Sequence, residues 1–153
     1  MHGNRNTLHH ALMDLVGVLT RPQPDERILH EAGVALDRAL FPLMVRIRLY
    51  APIGVVELAD IVGRDHSTVS RQIAKLEELG LVERKPSPDD QRVRQAVLTE
   101  AGQQVSRAIG RGRQKVFDRV QADWSARDKS ELARLVRKLA DDMTAHLVEE
   151  RDA

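Results

Sequence analysis

The sequence predicts a mainly α-helical fold carrying one small β-hairpin, an α+β architecture. Three observations predict it. Apolar residues recur at three- and four-residue spacing along most of the chain. Two short segments, Leu81–Pro86 and Arg94–Leu98, read as strands joined by the polar, turn-rich "SPDDQRV". Aromatic residues make up only 3% of the chain, so Leu, Val, Ile and Ala must build the core.

In chain order, Leu8, Leu12, Leu15, Val16 and Leu19 share one face of a helix over residues 7–19, and the two prolines of "TRPQPDE" break the pattern. An apolar stripe returns from Val34 to Tyr50 with Pro42 inside it, which either starts a second helical piece or kinks a single helix. "APIG" closes that segment. "VVELADIV" (Val55–Val62) is a helix of about two turns. "GRDH" is a turn, and "STVSRQIAKLEEL" (Ser67–Leu79) is a second helix ended by Gly80. After the hairpin, Thr99 caps a long helix with Glu100 in its first turn. Val105, Ile109, Val116 and Val120 form its stripe, and Gly110 and Gly112 weaken it by roughly 1 kcal/mol each relative to Ala. Ser125, with Asp128 three residues on, opens the last helix as a capping box. That helix carries Leu132, Leu135, Val136, Leu139, Met143 and Leu147. The expected division is 1–50 (N-terminal helices), 51–98 (central unit) and 99–153 (C-terminal helices). The outer helices have no obvious core of their own for their stripes, so a second copy of the chain is the expected partner.

Composition narrows the function. The chain has 153 residues, enough for one domain or one intertwined unit with a sizeable core. The net charge of +1 argues neither for nor against nucleic acid, so what matters is whether positive groups collect on one face. No apolar run approaches the ~20 residues that span a bilayer, and "MHGNRNTLHH" lacks the apolar centre of a signal peptide. Absent cysteine removes disulfides, thiol redox sensing and Cys-ligated metals. A cytoplasmic protein with no membrane partner is expected. His9 and His10 are adjacent and face different ways on a helix, and His30, His66 and His146 are scattered, so no metal site is expected. Nothing resembles a catalytic triad, a phosphate-binding glycine loop or a paired-carboxylate site. Neither an enzyme activity nor a cofactor is expected.

Two helices joined by a tight turn, the second with one apolar and one polar face, is the sequence form of a helix-turn-helix. On a helical wheel Val69, Ile73 and Leu76 share a narrow arc. The opposite arc holds Ser67, Arg71, Lys75 and Glu78, with Thr68 at its edge and Gln72 on the flank. These polar types suit a major groove: Arg donates twice to guanine, Gln pairs with adenine, and hydroxyls reach phosphates or bases. The plainer reading is an ordinary solvated helix face. The hairpin shifts the balance. A two-stranded wing beside such a helix reaches the neighbouring minor groove, whose potential attracts inserted arginine. Arg92 sits at the hairpin tip, and Asp90, two residues earlier, is close enough to hold its guanidinium by a charge-assisted pair. Arg94 in the wing, and Arg64, Arg84 and Lys85 nearby, are candidate phosphate contacts. Taken singly, each would be an exposed ion pair of little worth.

The stretch "VVELADIVGRDHSTVSRQIAKLEELGLVERKPSPDDQRVRQAVLTEAG" resembles the winged helix-turn-helix of the MarR family (multiple antibiotic resistance regulators). The stretch covers about a third of the chain, and the likeness rests on "ELA", "STVSR", "LEELGLVER", Asp-x-Arg in the wing and the following "LTEAG". It implies an intertwined helical homodimer with two winged lobes. It further implies double-stranded DNA as partner, a pseudo-palindromic operator, repression of transcription and, in many members, a small-molecule effector. Carried over residue by residue, Ser67, Thr68, Arg71, Gln72 and Lys75 face the major groove, Arg92 is the wing-tip arginine and Asp90 its holder. Two other classes remain open: a winged helix used for protein contact without DNA, and a ligand- or metal-sensing protein in which DNA is secondary.

Overall fold

A computed structural model describes residues 3–147, with side chains described from Thr7 onward. Seven helices and three short strands occur among the described residues: α1 Gly3–Leu19, α2 Pro22–Ala32, α3 Phe41–Tyr50, β1 Ile53–Gly54, α4 Val55–Val62, α5 His66–Glu78, β2 Val82–Pro86, β3 Arg94–Leu98, α6 Glu100–Val120 and α7 Ala126–Leu147. The chain divides into two compact units, one ending at Val116 and one beginning at Phe117.

The first unit is built on the inward arcs of α3, α4 and α5. Leu43, Met44, Ile47, Leu58, Val69, Ile73 and Leu76 are fully buried, together with Ile53 of β1. The arc expected for α5 is therefore the one that packs. Side chains of this size each contribute about 1.5–3 kcal/mol on burial, so the small lobe has a firm core despite its few aromatics. A second cluster joins Ile28 and Leu29 of α2 to Phe41 and Ile109.

Three expectations are sharpened here. "TRPQPDE" does break the pattern, since α1 ends at Leu19, but its prolines also start a new helix, α2, with Pro22 as its first residue. Proline is tolerated in a first turn because those N–H groups have no intrahelical acceptor anyway. Of the two readings of the stripe from Val34, the structure takes the one in which Pro42 opens a separate helix rather than kinking a single one. Residues 34–40 form an irregular connection and turn, and Pro42 lies in the first turn of α3. The sheet has three strands in the order β1-β3-β2, all antiparallel. Ile53 lies opposite Ala96 and Gly54 opposite Gln95, so "APIG" supplies an edge strand as well as a segment end. Two residues are too few for alternation to be visible in sequence.

The junction between α5, β2 and α6 fixes the hairpin. The Thr99 hydroxyl donates to the Gly80 carbonyl at 2.6 Å and accepts from the Gly102 N–H at 3.0 Å, capping α6. The Thr99 N–H donates to the Leu81 carbonyl at 3.1 Å. Backbone meets backbone here: a Cβ on Gly102 would overlap the Leu81 carbonyl oxygen. Further along α6, a Cβ on Gly112 would lie 2.6 Å from the Ile28 carbonyl oxygen and 2.7 Å from the Ala32 nitrogen. Gly112 therefore lets α2 approach, whereas Gly110 has only an Arg48 guanidinium nitrogen at 3.9 Å.

The second unit contains the last turn of α6 and α7. Its capping box forms as expected: the Asp128 N–H donates to Ser125 Oγ at 3.1 Å, and Ser125 Oγ–H donates to Asp128 Oδ2 at 2.6 Å. Arg134 pairs with Glu131, Arg137 with Asp141 and Lys138 with Asp142 along one polar side. No residue of α7 is buried, and Leu132, Leu135, Val136, Met143 and Leu147 all remain exposed. In the first unit α1 likewise leaves Leu8, Leu15, Val16 and Leu19 exposed. No helix among the described residues is long and apolar enough to cross a membrane.

Two of the three glycines of α6, Gly102 and Gly110, predict opposite responses to the same change. Gly102→Ala is expected to destabilise by about 2 kcal/mol or more through overpacking. Gly110→Ala should stabilise by about 0.5–1 kcal/mol through helix propensity. Urea denaturation of both variants checks this.

Candidate nucleic-acid interface

The recognition-type helix α5 begins one residue earlier than expected, because Asp65 caps it. Asp65 Oδ1 accepts from the Thr68 N–H at 2.8 Å and from the Ser67 hydroxyl at 2.6 Å, and Oδ2 accepts from the Thr68 hydroxyl at 2.5 Å. These bonds, Ser67 foremost and then Thr68, hold the Asp65 carboxyl well below the usual carboxylate range. Asp65 was not among the expected site residues. Its signal in the sequence was the Asp immediately ahead of "HST", three residues before Thr68.

The outward arc of α5 then presents Ser67, Arg71, Lys75 and Glu78, all exposed, with Thr68 and Gln72 half-buried at its edges. Arg71 Nη2 donates to Thr68 Oγ1 at 3.3 Å and has no carboxylate partner among the described residues. Lys75 Nζ is paired with Glu78 at 2.9 Å, with both side chains largely exposed, so this pair is worth little and opens easily.

The hairpin tip is a tight, self-bonded turn. The Ser87 N–H donates to the Val93 carbonyl at 2.8 Å, and the Val93 N–H donates to the Asp90 carbonyl at 3.0 Å. Asp90 Oδ1 accepts from the backbone N–H of Arg92 at 2.9 Å. Here the expectation is corrected: Asp90 does not hold the Arg92 guanidinium. An Asp side chain two residues ahead reaches the backbone N–H more readily than a long side chain that leads away from it. Asp90 shapes the turn, and the guanidinium of Arg92 stands exposed with no partner among the described residues. Arg94, on the first residue of β3, is exposed and equally free of a carboxylate.

The remaining cations are engaged within the protein. Arg84 is half-buried: its Nη2 donates to the Ser70 carbonyl at 3.1 Å, and its Nε lies 3.0 Å from Glu77 Oε2. That Nε–H is not aimed along the short approach, so the contact is an ion pair rather than a hydrogen bond. Arg84 ties β2 to α5. Lys85 pairs with Glu83 at 2.9 Å on the surface. Arg64 Nη1 donates to the Ala39 carbonyl at 2.7 Å and to Gln72 Oε1 at 2.9 Å. The structure thus brings one exposed basic helix face and two wing arginines without carboxylate partners, Arg92 and Arg94, into the same unit, and gives Arg64 and Arg84 bonds inside it.

Away from this face, a cavity of about 310 Å³ is lined by Ile47 and Arg48 of α3, Val97 and Leu98 of β3, and Ser106 and Arg107 of α6. Arg48 Nη1 donates to Ser106 Oγ at 3.3 Å, and Arg107 pairs with Glu100 at 3.2 Å. No cluster of three or more metal-binding side chains occurs among the described residues.

Comparisons with known proteins agree with this geometry. Residues 36–93 match the MarR family. The uncharacterized HTH-type transcriptional regulator YxaD of Bacillus subtilis (strain 168) is 31% identical over 104 residues, covering 68% of this chain and 73% of that protein. A MarR family protein from Bacillus stearothermophilus superposes with a TM-score of 0.78 at 22% identity, over 94% of this chain and 98% of that one. Wild-type MarR from E. coli, in its apo form, superposes with a TM-score of 0.66 at 23% identity, over 85% and 95%. At those identities the structural likeness is one of fold.

The cap gives a pH signature. A carboxyl whose folded-state value is depressed contributes stability that is fully present above its ordinary value of 3.8 and is lost as pH falls through the folded value. Asp65→Ala is therefore expected to lower the urea midpoint at neutral pH, and the gap from wild type should narrow as pH drops below 3.8. A gap that stays constant would assign the cap no charge-dependent role.

Proposed function

We propose the function from one premise: the chain belongs to the MarR family. It is a transcriptional regulator of that family, whose members are non-enzymatic DNA-binding proteins. We propose further that it represses transcription by binding a pseudo-palindromic operator as a homodimer. In this reading α5 of each protomer enters a major groove through Ser67, Thr68, Arg71, Gln72 and Lys75. Each wing sets Arg92 into the flanking minor groove, with Asp90 shaping the turn behind it. Arg94 and Lys85 lie where the phosphates pass, while Arg84 and Arg64, expected as phosphate contacts, support the lobe through their internal bonds. Residues 51–98 serve as the DNA-binding lobe, and 1–50 and 99–153 carry dimerisation and lobe connection.

The observation that carries this reading is the pairing, within one compact unit, of an exposed Arg71 on α5 with an exposed, unpaired Arg92 at the hairpin tip. Free cations are what phosphate and a narrow minor groove attract. The homodimer is supported by the apolar stripes that α1 and α7 each leave exposed and by the closed two-fold symmetry usual for such assemblies. Two lobes held by one dimer reach half-sites about one helical turn apart.

Gel shifts against DNA selected from a random pool, at two salt concentrations, test the reading. Affinity should fall steeply with salt. Arg92→Ala should weaken binding and lower the salt slope by about one, while sedimentation still gives a dimer and thermal unfolding is unchanged. Wild-type binding by the variant would rule out the minor-groove contact, and salt-insensitive or absent binding by the wild type would favour a winged helix used for protein contact. A small-molecule effector would occupy the cavity walled by Arg48 and Arg107 and act by changing lobe spacing. Calorimetry with phenolic acids is expected to show saturable heat that is lost in Arg48→Ala.

A further inference from the structure

The polarity of Gln72 is set by its neighbour. Arg64 Nη1 carries two hydrogens, and the structure uses both: one goes to the Ala39 carbonyl at 2.7 Å, the other to Gln72 Oε1 at 2.9 Å. Ala39 is itself held, its N–H donating to Asp37 Oδ1 at 2.7 Å, and the adjoining Leu40 is buried in the core. The guanidinium is thus anchored from the α2–α3 connection and reaches across to α5. A guanidinium has donors only, so the amide atom facing it must be the oxygen. The amide is planar with its nitrogen set about 120° from its oxygen, so Nε2 turns away from Arg64. Among the described residues no acceptor is bonded to Nε2.

We infer that Arg64 is a positioning residue that turns the Gln72 amide so that its N–H pair, rather than its oxygen, is offered to base edges. This rests on the DNA-binding reading above and sharpens it. Glutamine reads adenine by a bidentate pair, its oxygen accepting from N6 while its nitrogen donates to N7. In this protein the oxygen is turned toward a cation, and a base amino group approaching it would have to share it with the guanidinium. What Gln72 offers freely is its N–H pair. That matches an acceptor-bearing edge, guanine O6 and N7 or thymine O4, and mismatches the adenine amino group. The expectation that Gln72 pairs with adenine is replaced by a preference for guanine or thymine at the position it faces.

Selection of bound sequences from random DNA, run in parallel on the full-length wild type and four variants, tests this. Gln72→Ala identifies the position that Gln72 reads, as the one whose preference disappears. The wild type should favour guanine or thymine there. Arg64→Met should shift that one position toward adenine by about tenfold, the discrimination typical of one good bidentate pair, and leave the others alone. Arg64→Lys, still a donor, should keep the wild-type preference. Gln72→Glu, an acceptor with no donor, should lose it even if Arg64→Met proves poorly folded by thermal unfolding. A merely structural role for Arg64 would lower binding to all sequences equally. The inference is overturned by a wild type that prefers adenine at that position, by an Arg64→Met variant that folds but keeps the preference, by a Gln72→Glu variant that keeps it, or by a Gln72→Ala variant that changes no position. A wild type that selects no sequence at all would instead overturn the DNA-binding reading itself.

Discussion

The lobe depends on one backbone joint. Leu81 stands between the end of α5 and the start of β2, and its carbonyl is held by the Thr99 N–H at the start of α6. The Thr99 side chain closes the same joint from the other side through Gly80 and Gly102. Three elements thus share one small patch of main chain, and only glycine fits at position 102. Hydrogen bonds of this kind contribute only about 1 kcal/mol each net, but leaving one buried group unpaired costs more. The joint is therefore valuable less for its strength than for the geometry it permits: α5 leaves, the hairpin returns, and α6 departs from a single fixed point.

The basic residues divide by what surrounds them. Where a carboxylate or carbonyl lies within the same unit, as for Arg84 beside Glu77 and Ser70, the cation serves as an internal strut between β2 and α5. Where none lies within reach, as for Arg71, Arg92 and Arg94, the charge faces outward. A net charge of +1 conceals this division completely. Summed charge describes solubility and long-range attraction, whereas a binding face is defined by which charges have been left without internal partners.

Much of this was legible in the sequence. The apolar arc of α5, the strand Arg94–Leu98 and the caps at Thr99 and Ser125 are local signals read over three or four residues, and the structure bears them out. What escaped reading depends on distance or brevity. Strand β1 is two residues long and acquires its identity only from Ala96 and Gln95. Helix α2 was hidden because its first-turn prolines looked like a break, though they are as compatible with a helix start. The role of Arg64 was invisible because its acceptors lie 25 and 8 residues away. Asp90 was read as a partner for a side chain, and its oxygen found the nearer backbone instead. Glycine 112 was read as a cost in helix propensity. It is that, and it is also the gap into which α2 fits.

At the hairpin tip, main chain and side chain are ordered to different degrees. Bonds from Ser87, Val93 and the Asp90 carboxylate fix the main chain around Arg92, while its guanidinium has no partner among the described residues. Fixing one residue's backbone costs roughly 1–2 kcal/mol of conformational entropy, and immobilising a long side chain costs up to about 2 kcal/mol more. At position 92 the first loss is already incurred on folding. Only rotamer entropy is left to surrender on contact, so the tip meets a partner as a stiff stalk bearing a loose probe, and its reach is set by four side-chain torsions rather than by a flexible loop.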